Sequence, residues 1–365
     1  KEWRLYSEMF DERPIIKELH LGGGTPTFFK PQNLKFLING ILRFANKADE
    51  AEFSFEGHPN NTTKEHLQAL YDVGFRRVSF GVQDYNETVQ KAIHRIQPFI
   101  NVKNVTEWSR EIGYTSISHD IIFGLPHQKL EHVINTIEKT KELKPDRIAF
   151  YSYAHVSWLA GNGQRGYNDA DLPAGEEKRK QYEVGKELLL KFGYHEIGMD
   201  HFALKTDSLY QALEKGNLHR NFMGYTSSNT HLMIGLGASS ISDSWYGFAQ
   251  NVKNVEEYQN LVENNIIPLY RGHILTEEDQ IIRRHILNLM CQFKTTWSAY
   301  KLHLPQMDAI LERLKELEDD GIVIIAEGSL TIKEKGRPFV RNVCMAFDLP
   351  LQEKKPNTRL FSMTV

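Results

Sequence analysis

The sequence predicts an α/β protein in which a parallel sheet forms a complete or partial barrel, with a mostly helical, winged-helix-like domain after it. Strand-like and helix-like segments alternate through the first half in units of about thirty residues, which indicates right-handed crossovers between parallel strands. Polar residues of different chemistry recur near the carboxyl ends of these strands. After about Gly198 the alternation gives way to loop-rich, aromatic segments and then to helices with a short hairpin.

The alternating part contains five predicted strands with four predicted helices between them. Alternating or apolar runs predict the strands, and apolar residues at helical spacing predict the helices. Thr62 is a predicted N-cap, and Gly74 and Gly113 lie just past two predicted helix ends. In chain order the segments are ELHLGGGTP, NLKFLINGILRFAN, AEFSFEGHP, TTKEHLQALYDVGF, RRVSFGVQD, VKNVTEWSREIGY, SISHDIIFGLP, LEHVINTIEKTKELKPD and RIAFYSYAH.

An open doubly wound sheet and a barrel both fit this alternation, and the placement of polar residues favours the barrel. In a β/α barrel the carboxyl ends of all strands converge on one mouth, whereas an open sheet spreads them along a line. A single polar residue at a strand end is commonly a turn or a helix cap. Here five successive strand ends carry one, at residues 22–25, Glu56, Gln83, Asp120 and residues 154–155. We therefore predict one converging site.

The C-terminal part predicts helices followed by a hairpin. The helical segments TEEDQIIRRHILNLMCQF and LPQMDAILERLKELEDDG precede IVIIAEGSLTI, and Thr276 and Asp279 are placed for a capping-box-like start. Winged-helix domains often bind DNA. The ELEDD run is acidic, however, and the formal net charge is −3, so we expect neither nucleic acid nor a membrane surface as a partner. No apolar run approaches the length of a membrane span.

The two cysteines, Cys291 and Cys344, lie in apolar stretches. We expect two buried small hydrophobic residues rather than a disulfide or a metal pair. Low cysteine content without a secretory segment is typical of a cytoplasmic protein. The fifteen histidines show no zinc spacing such as HExxH. No metal ligands are therefore predicted within this chain.

The GGGTP motif at residues 22–26 is the sharpest local pattern. Its glycines permit positive φ and close backbone approach, so that amide and carbonyl groups can hold a small polar ligand, although a tight turn explains the motif equally well. Glu56 and Asp120 could bind ribose hydroxyls or an ammonium group. Gln83 could bind a polar ligand, and Arg95 could hold a carboxylate through two hydrogen bonds. For each of these residues a solvated or capping role is the alternative.

Taken together, these segments resemble the radical S-adenosylmethionine (SAM) enzymes, and specifically the oxygen-independent coproporphyrinogen III oxidase branch. GGGTP and GVQ occur widely among related radical enzymes, whereas GMDHFA followed by LHRNFMGYT is more specific to this branch. The matching segments span nearly the whole chain in order: LHLGGGTPTFF, FSFEGHP, RRVSFGVQDYN, DIIFGLPHQ, KPDRIAFYSYAHV, DADLP, GMDHFA, LHRNFMGYTS, GLGASSIS and AQN.

The resemblance implies a partial (β/α)6 barrel over residues 1–203 and a C-terminal helical, substrate-covering domain over residues 204–365. It implies a 4Fe-4S cluster and the binding of two SAM molecules, with a flavodoxin or ferredoxin as electron donor to a monomer. The reaction implied is the radical decarboxylation of two propionates of coproporphyrinogen III to vinyl groups, giving protoporphyrinogen IX for heme biosynthesis. The residues matching the first SAM molecule are Gly23, Glu56 and Ile241, and those matching the second are Gly24, Thr25, Gln83, Arg95, Asp120 and Ala154.

One departure from the family pattern concerns the cluster. The family's CxxxCxxC loop should lie before GGGTP, and the 21 residues that precede Gly22 contain no cysteine. Iron–sulfur clusters of this kind need thiolate ligands. We expect the cluster cysteines upstream of Lys1, and the chain alone to be inactive. A smaller departure is Ser157, where the family pattern YAHxP would place proline.

Two other functions remain open at this point. A heme-binding or heme-trafficking relative on the same scaffold would lack the oxidase activity, and GMDHFA, LHRNFMGYT and Arg95 argue against it. A non-enzymatic porphyrin-binding protein is the second alternative. His219, Arg220 and Arg271 could supply positive charge for an acidic substrate, with surface salt bridges as the competing explanation.

Overall fold

The computed structural model describes residues 1–156, 166–298 and 300–354. Ser157, the departure noted above, lies outside the described residues. The chain forms two compact units. Among the described residues, the barrel unit comprises Glu18–Asn39 and Ala51–Gln211, and the C-terminal unit comprises Lys1–Lys17, Gly40–Glu50 and residues 212–354. The predicted division between residues 203 and 204 stays a prediction, because it separates two functional domains, whereas these units are groups of residues that pack together.

The first part of the chain follows the predicted alternation. Its strands are β1 (Ile15–Leu21), β2 (Asn46–Gly57), β3 (Phe75–Gln83), β4 (Ser116–Phe123), β5 (Arg147–Ser152), β6 (His195–Gly198) and β7 (His201–Ala203). Its α-helices are α1 (Glu2–Ser7), α2 (Pro31–Leu42), α3 (Lys64–Asp72), α4 (Glu87–Ala92), α5 (Phe99–Ile112), α6 (Leu130–Leu143) and α7 (Gly175–Lys191), with 3-10 turns at Pro26–Phe28 and Asp169–Asp171.

Strands β1 to β7 form one seven-stranded sheet in the order β1-β2-β3-β4-β5-β7-β6. Strands β2 to β5 pair in parallel, whereas β7 is antiparallel to both β5 and β6. The sheet has two edges, β1 and β6, and is therefore a partial barrel. The predicted fold class is confirmed, but the sheet ends in a short hairpin that the sequence pattern did not indicate.

Alternating side chains give the sheet an apolar face and a polar face. In β3, Phe75, Val78, Phe80 and Val82 are buried, whereas the intervening positions, which end at Gln83, are only half-buried. Helices α3, α5, α6 and α7 follow the parallel strands, and each has an apolar stripe to bury. Each buried phenylalanine contributes about 2 kcal/mol of transfer free energy. The polar face is left free for function.

The cap predicted for α3 was wrong by one residue. Thr63, not Thr62, is the N-cap: its hydroxyl accepts a hydrogen bond from the backbone N–H of His66, in a capping box with the His66 ring. The Thr62 hydroxyl instead bonds Thr27 Oγ1 at 3.1 Å and the His58 carbonyl at 3.0 Å. The predicted helix ends are confirmed, since Gly74 and Gly113 both adopt positive φ. The geometry there requires glycine.

The segment after Gly198 contains short strands where only loops were predicted. They are β8 (His219–Asn221), β9 (Gly224–Thr226), β10 (Leu232–Met233), β11 (Ile241–Ser244), β12 (Gly247–Asn251) and β13 (Leu269–Ile274), with α8 (Ser208–Glu214) and α9 (Val255–Glu263) between them. Strands β10 to β13 form an antiparallel sheet in chain order, and β8 and β9 form a hairpin. Strands of two to six residues are too short to show a clear period in the sequence.

The chain continues with the predicted helices and hairpin. These are α10 (Glu277–Gln292), β14 (Lys294–Thr296), α11 (Met307–Asp319), β15 (Val323–Ala326), β16 (Ser329–Ile332), a 3-10 segment (Glu334–Phe339), α12 (Val340–Phe347) and α13 (Leu349–Lys354). The three strands pair in the order β14-β16-β15, which completes a winged-helix-like arrangement. The predicted capping box between Thr276 and Asp279 is present. Within the described ranges, no helix is both long and apolar enough to cross a membrane.

Candidate functional site

The polar face of the barrel sheet carries three of the nine predicted site residues, Glu56, Gln83 and Asp120. Parallel pairing sets Glu56 opposite Ser79 and Gly81 opposite Asp120. Side chains two residues apart on one strand share a face, so Ser79 and Gly81 lie on the same side of β3, and Gln83, which follows a register shift, places its side chain over Gly81. Glu56 and Gln83 stand near the carboxyl ends of their strands, as predicted. Asp120 instead lies inside β4, so its predicted position at a strand end was wrong.

Glu56 lies beside the start of the glycine loop. The His20 ring bonds Ser54 Oγ at 2.9 Å and Glu56 Oε1 at 3.4 Å. A Cβ added at Gly22 would stand 2.6 Å from His20 Nε2 and 3.0 Å from the Glu56 carboxyl carbon. A side chain at Gly22 would therefore displace the ends of His20 and Glu56. The Glu56 side chain keeps 49% of its surface exposed, so its carboxylate can accept further hydrogen bonds.

Gly23 and Gly24 turn the chain into solvent after β1. Gly23 has φ of 79°, in the region that favours glycine, and a Cβ at either position would meet nothing within 4 Å. Both residues are exposed. Thr25 follows as the cap of the 3-10 turn, with its side chain unused for capping. The loop therefore presents backbone groups and one hydroxyl with space in front of them, as the ligand interpretation of GGGTP requires.

Gln83 and Arg95 meet over Gly81. A Cβ added at Gly81 would lie 2.6 Å from Gln83 Nε2 and 2.8 Å from Arg95 Nη2. Arg95 donates from Nη2 to the Gly81 carbonyl at 2.9 Å. Gln83 itself has φ of 66°, which is uncommon outside glycine and is typical of strained functional positions. Two residues predicted separately are thus brought together.

This pair carries two buried polar atoms that lack a partner. Neither Gln83 Oε1 nor Arg95 Nε has a hydrogen bond to any residue that the structure describes. A buried polar group without a partner costs about 1–3 kcal/mol, so such groups are rare unless a ligand or water satisfies them. One acceptor and one cationic donor side by side suit a polar ligand that carries a carboxylate and N–H or O–H groups.

Asp120 lies next to this pair and holds its proton more tightly than an ordinary aspartate. Burial above all, together with the Glu56 carboxylate, raises the pKa of Asp120 from 3.8 to about 6. The Ser79 hydroxyl, which donates to Asp120 Oδ1 at 2.9 Å, and the Arg95 charge act in the opposite direction. Burial also lowers the pKa of Arg95. The site therefore holds three ionisable groups, Glu56, Asp120 and Arg95, whose charges a bound ligand would influence.

The two remaining predicted residues lie elsewhere. Ala154 follows β5 and is exposed. Ile241 begins β11 in the C-terminal unit, where a side chain at Gly235 would clash with its carbonyl group. Ser79 and Gly81 were missed as site residues. The alternation of Ser79 with buried residues in the strand that ends at Gln83 could have found Ser79, whereas a glycine inside a strand gives no such signal.

No cluster of metal-binding side chains appears among residues 1–156, 166–298 and 300–354. Cys291 and Cys344 are free and buried, as predicted. Burial raises the pKa of each thiol to about 12. Metal coordination requires the thiolate, so these two residues are poor ligands.

Comparisons with known proteins give a consistent result. Residues 3–140 match the family model described as the radical SAM superfamily. The chain is 37% identical over its full length to the oxygen-independent coproporphyrinogen III oxidase of Synechocystis sp., of which it covers 80%. It is 38% identical over 93% of its length to the Escherichia coli oxidase of that name, of which it covers 75%.

A solved structure supports the same grouping. The structure titled as the coproporphyrinogen III oxidase HemN from Escherichia coli, a radical SAM enzyme, is similar with a TM-score of 0.90 and 36% sequence identity. The match covers 96% of this chain and 82% of that one. At this identity and coverage the likeness extends beyond a shared barrel to both units of the chain.

Proposed function

The chain belongs to the oxygen-independent coproporphyrinogen III oxidase family of radical SAM enzymes, and we propose that the polar face of its barrel sheet is where SAM binds. The enzyme is an oxidoreductase of heme biosynthesis. It decarboxylates two propionates of coproporphyrinogen III to vinyl groups and gives protoporphyrinogen IX. The names and structure of its relatives favour this function over a heme-trafficking role on the same scaffold.

The observation that carries the SAM site is a pair of unpartnered buried atoms, Gln83 Oε1 and Arg95 Nε, on the two side chains that pack over Gly81. SAM has a carboxylate, an ammonium group, ribose hydroxyls and an adenine ring. Arg95 Nε can donate to a carboxylate or a ring nitrogen, and Gln83 Oε1 can accept from an amine or a hydroxyl. The open space at Gly23 and Gly24 is a second feature that a ligand would fill. The residues present therefore fit this cofactor.

We assign the site residues in two groups. Gly23, Glu56 and Ile241 would hold one SAM molecule. A second molecule would be held by Gly24, Thr25, Gln83, Arg95, Asp120 and Ala154. The second group draws support from the close packing of Gln83 and Arg95 on Gly81, with Asp120 on the next strand.

The chain's own residues bind and orient, and SAM, when bound, supplies the hydrogen-abstracting radical chemistry. Glu56 can neutralise an ammonium group or hold ribose hydroxyls, and the exposed loop at Gly23 can bond a carboxylate through its backbone. Asp120 and Arg95 attract each other electrostatically, and contacts with a bound ligand can replace this attraction. Fixed geometry of this kind matters because a reacting atom has to be held close to its target carbon.

The family also uses a 4Fe-4S cluster, and the residues of this chain do not fit it. A cluster needs thiolates, and the two cysteines are buried on α10 and α12 with pKa values raised to about 12. No described group of histidine, cysteine, aspartate or glutamate side chains offers an alternative. We derive no catalytic step through the cluster from these residues.

Further properties are proposed on the same basis. Residues 1–203 would supply the SAM barrel, and residues 204–365 would supply the substrate-covering part. The electron donor would be a flavodoxin or ferredoxin and the enzyme a monomer. The cytoplasm would be its location, since its cysteines are free thiols of a kind that suits a reducing compartment.

The test is an anaerobic assay of the full-length gene product with its cluster reconstituted. Coproporphyrinogen III, SAM and a reductant are supplied, and the porphyrin products are followed by mass spectrometry. We expect the loss of two carboxyl groups together with 5′-deoxyadenosine. Cleavage of SAM without decarboxylation would contradict the substrate, and the absence of both products from cluster-loaded protein would contradict the function.

A further inference from the structure

A small pocket in the C-terminal unit has no role in the site described above. Residues of strands β8, β10 and β11 and of helix α10 line it, and its polar groups include His219, Asn221, Thr230, His231, Asp243 and Arg283. These residues all belong to one compact unit. The pocket therefore exists independently of the barrel.

The arginine in this pocket is fixed in place. Arg283 donates from Nη2 to Asp243 Oδ1 at 2.8 Å and from Nη1 to the Ser244 carbonyl at 2.6 Å. Its guanidinium carbon lies 5.1 Å from the centre of the Trp245 ring and 5.2 Å from that of Phe248. Both charges of the ion pair are largely buried, with 16% and 8% of the side chains exposed. The guanidinium is thus held in one orientation before any ligand arrives.

One arginine and one aspartate line the pocket, and a second arginine, Arg284, adds a positive charge beside it. The guanidinium carbon of Arg284 lies 4.6 Å from the centre of the Trp245 ring, which Arg283 also contacts. Asp243 is the acidic group among the pocket residues. Burial lowers the pKa of His219, and Arg283 and Arg284 lower it further. A neutral histidine, an amide, a hydroxyl and a preoriented guanidinium form a set of donors suited to an anion.

Exposed apolar side chains surround the pocket. Phe222 follows the pocket residue Asn221 and packs against Phe248 with ring centres 5.5 Å apart. Phe222 is 56% exposed, Leu232 is 47% exposed and Tyr246 is 70% exposed. Each is the chain neighbour of a pocket-lining residue. An apolar surface with an anion site at its centre suits a flat apolar ring that carries carboxylates.

We infer that this pocket binds one propionate carboxylate of the tetrapyrrole substrate, with the apolar side chains around it in contact with the macrocycle. The inference rests on the proposed function, because the ligand is the same substrate. The propionate is one that the reaction leaves intact. A reacting propionate departs as carbon dioxide and loses its negative charge, so donors that stabilise this charge would oppose the reaction.

The test measures binding rather than turnover. Coproporphyrin III, the oxidised and fluorescent form of the substrate ring, is titrated into the chain, and its tetramethyl ester serves as the ligand without carboxylates. The variant is the double substitution Asp243→Asn with Arg283→Gln, which removes both charges and leaves neither one buried alone. Arg4→Ala is the control, because it removes one exposed positive charge of the same unit.

We expect the double variant to bind coproporphyrin III about tenfold more weakly, as the loss of a charge-assisted hydrogen bond implies. The control should bind like the parent chain, and the tetramethyl ester should not distinguish the proteins. Protoporphyrin IX keeps the two unreacted propionates, so the double variant should also bind it more weakly than the parent chain does, by a similar factor. Should the double variant unfold, Arg283→Lys provides the comparison, with an expected loss of about threefold because lysine lacks the planar fork.

Equal affinity of the parent and the variants for coproporphyrin III would overturn the inference, as would the absence of saturable binding to the parent chain. Loss of affinity for coproporphyrin III but not for protoporphyrin IX would overturn the assignment to an unreacted propionate. These results do not depend on decarboxylation. A failure of the proposed function would appear in the anaerobic assay instead.

Discussion

Asp120 illustrates how burial at a single residue couples the site to stability. Because its pKa is raised from 3.8 to about 6 in the folded protein, the folded chain binds more protons than the unfolded chain between these values. Ionised Asp120 therefore opposes folding fully above about pH 6 and progressively less below it. We expect Asp120→Asn to stabilise the chain by about 1–3 kcal/mol at pH 8 and by roughly half as much at pH 5.

The measurement is urea unfolding of the parent and the variant at both pH values. Asp72→Asn is the control, because hydrogen bonds from Gln68 and Lys35 lower the pKa of Asp72. Asp72 is ionised in both the folded and the unfolded chain at pH 5 and at pH 8, so this exposed variant should change stability by the same amount at both pH values. A stabilisation by Asp120→Asn that is equal at pH 5 and pH 8 would contradict the raised pKa.

Gly81 is a second residue whose identity is decided by its neighbours. A methyl group there would displace the ends of Gln83 and Arg95, which are flexible, so folding should change little while the two unpartnered atoms move. We expect Gly81→Ala to weaken SAM binding about tenfold or more in equilibrium dialysis. Gly40→Ala is the matched control. It lies in α2 with nothing within 4 Å of the new methyl group, and should bind SAM normally.

Unchanged SAM affinity in Gly81→Ala would remove Gln83 and Arg95 from the proposed site. The role of Gly81 was not predictable from composition or spacing, since a glycine inside a strand is more often a bulge or a weak point. The residues that carry charge were predictable, because Glu56, Gln83 and Arg95 belong to recognisable motifs. Their distances from one another were not, because these depend on pairing between strands.

Among the elements, the start of α3 provides a direct test of capping. Thr63 satisfies one of the free N–H groups of the first turn, and the His66 ring bonds back to the Thr63 N–H at 3.2 Å. We expect Thr63→Ala to lower the free energy of unfolding by about 1 kcal/mol, and Thr63→Ser to lower it by much less. Chemical denaturation of both variants measures this difference. Equal losses would show that the methyl group of Thr63, rather than its hydroxyl, stabilises the helix.

The elements that could be predicted are the ones with a clear period. Helices α2, α3, α5 and α6 and strands β1 to β5 were all predicted, since each repeats its apolar positions several times. Strands β8 to β13 were not, because strands of two to six residues are too short to repeat an apolar position several times. Their pocket was missed for the same reason. His219 and Arg220 were noted only as charge, without the neighbouring Arg283 that α10 brings to the pocket.

For the whole molecule, the sequence pattern was sufficient for the fold class and the family, because motifs in both units matched in order. It was also sufficient to predict that Cys291 and Cys344 are structural. Both predictions rest on patterns that many residues share, such as alternation and burial, so a single misplaced residue does not change them. The arrangement of charges within a site is more sensitive, because a residue displaced by one position along a strand lies on the opposite face.

The cysteines provide the last test of the molecule as a whole. Because both thiols are buried with pKa values of about 12, we expect neither to react with a thiol reagent in the folded chain and both to react once the chain is unfolded in guanidinium. Anaerobic incubation of residues 1–365 with iron and sulfide should likewise give no cluster absorption, and replacing both cysteines with alanine should leave the bound iron unchanged. About four irons per chain, lost on that double replacement, would mean that α10 and α12 open to bind metal, and the assignment of these residues to the core would be wrong.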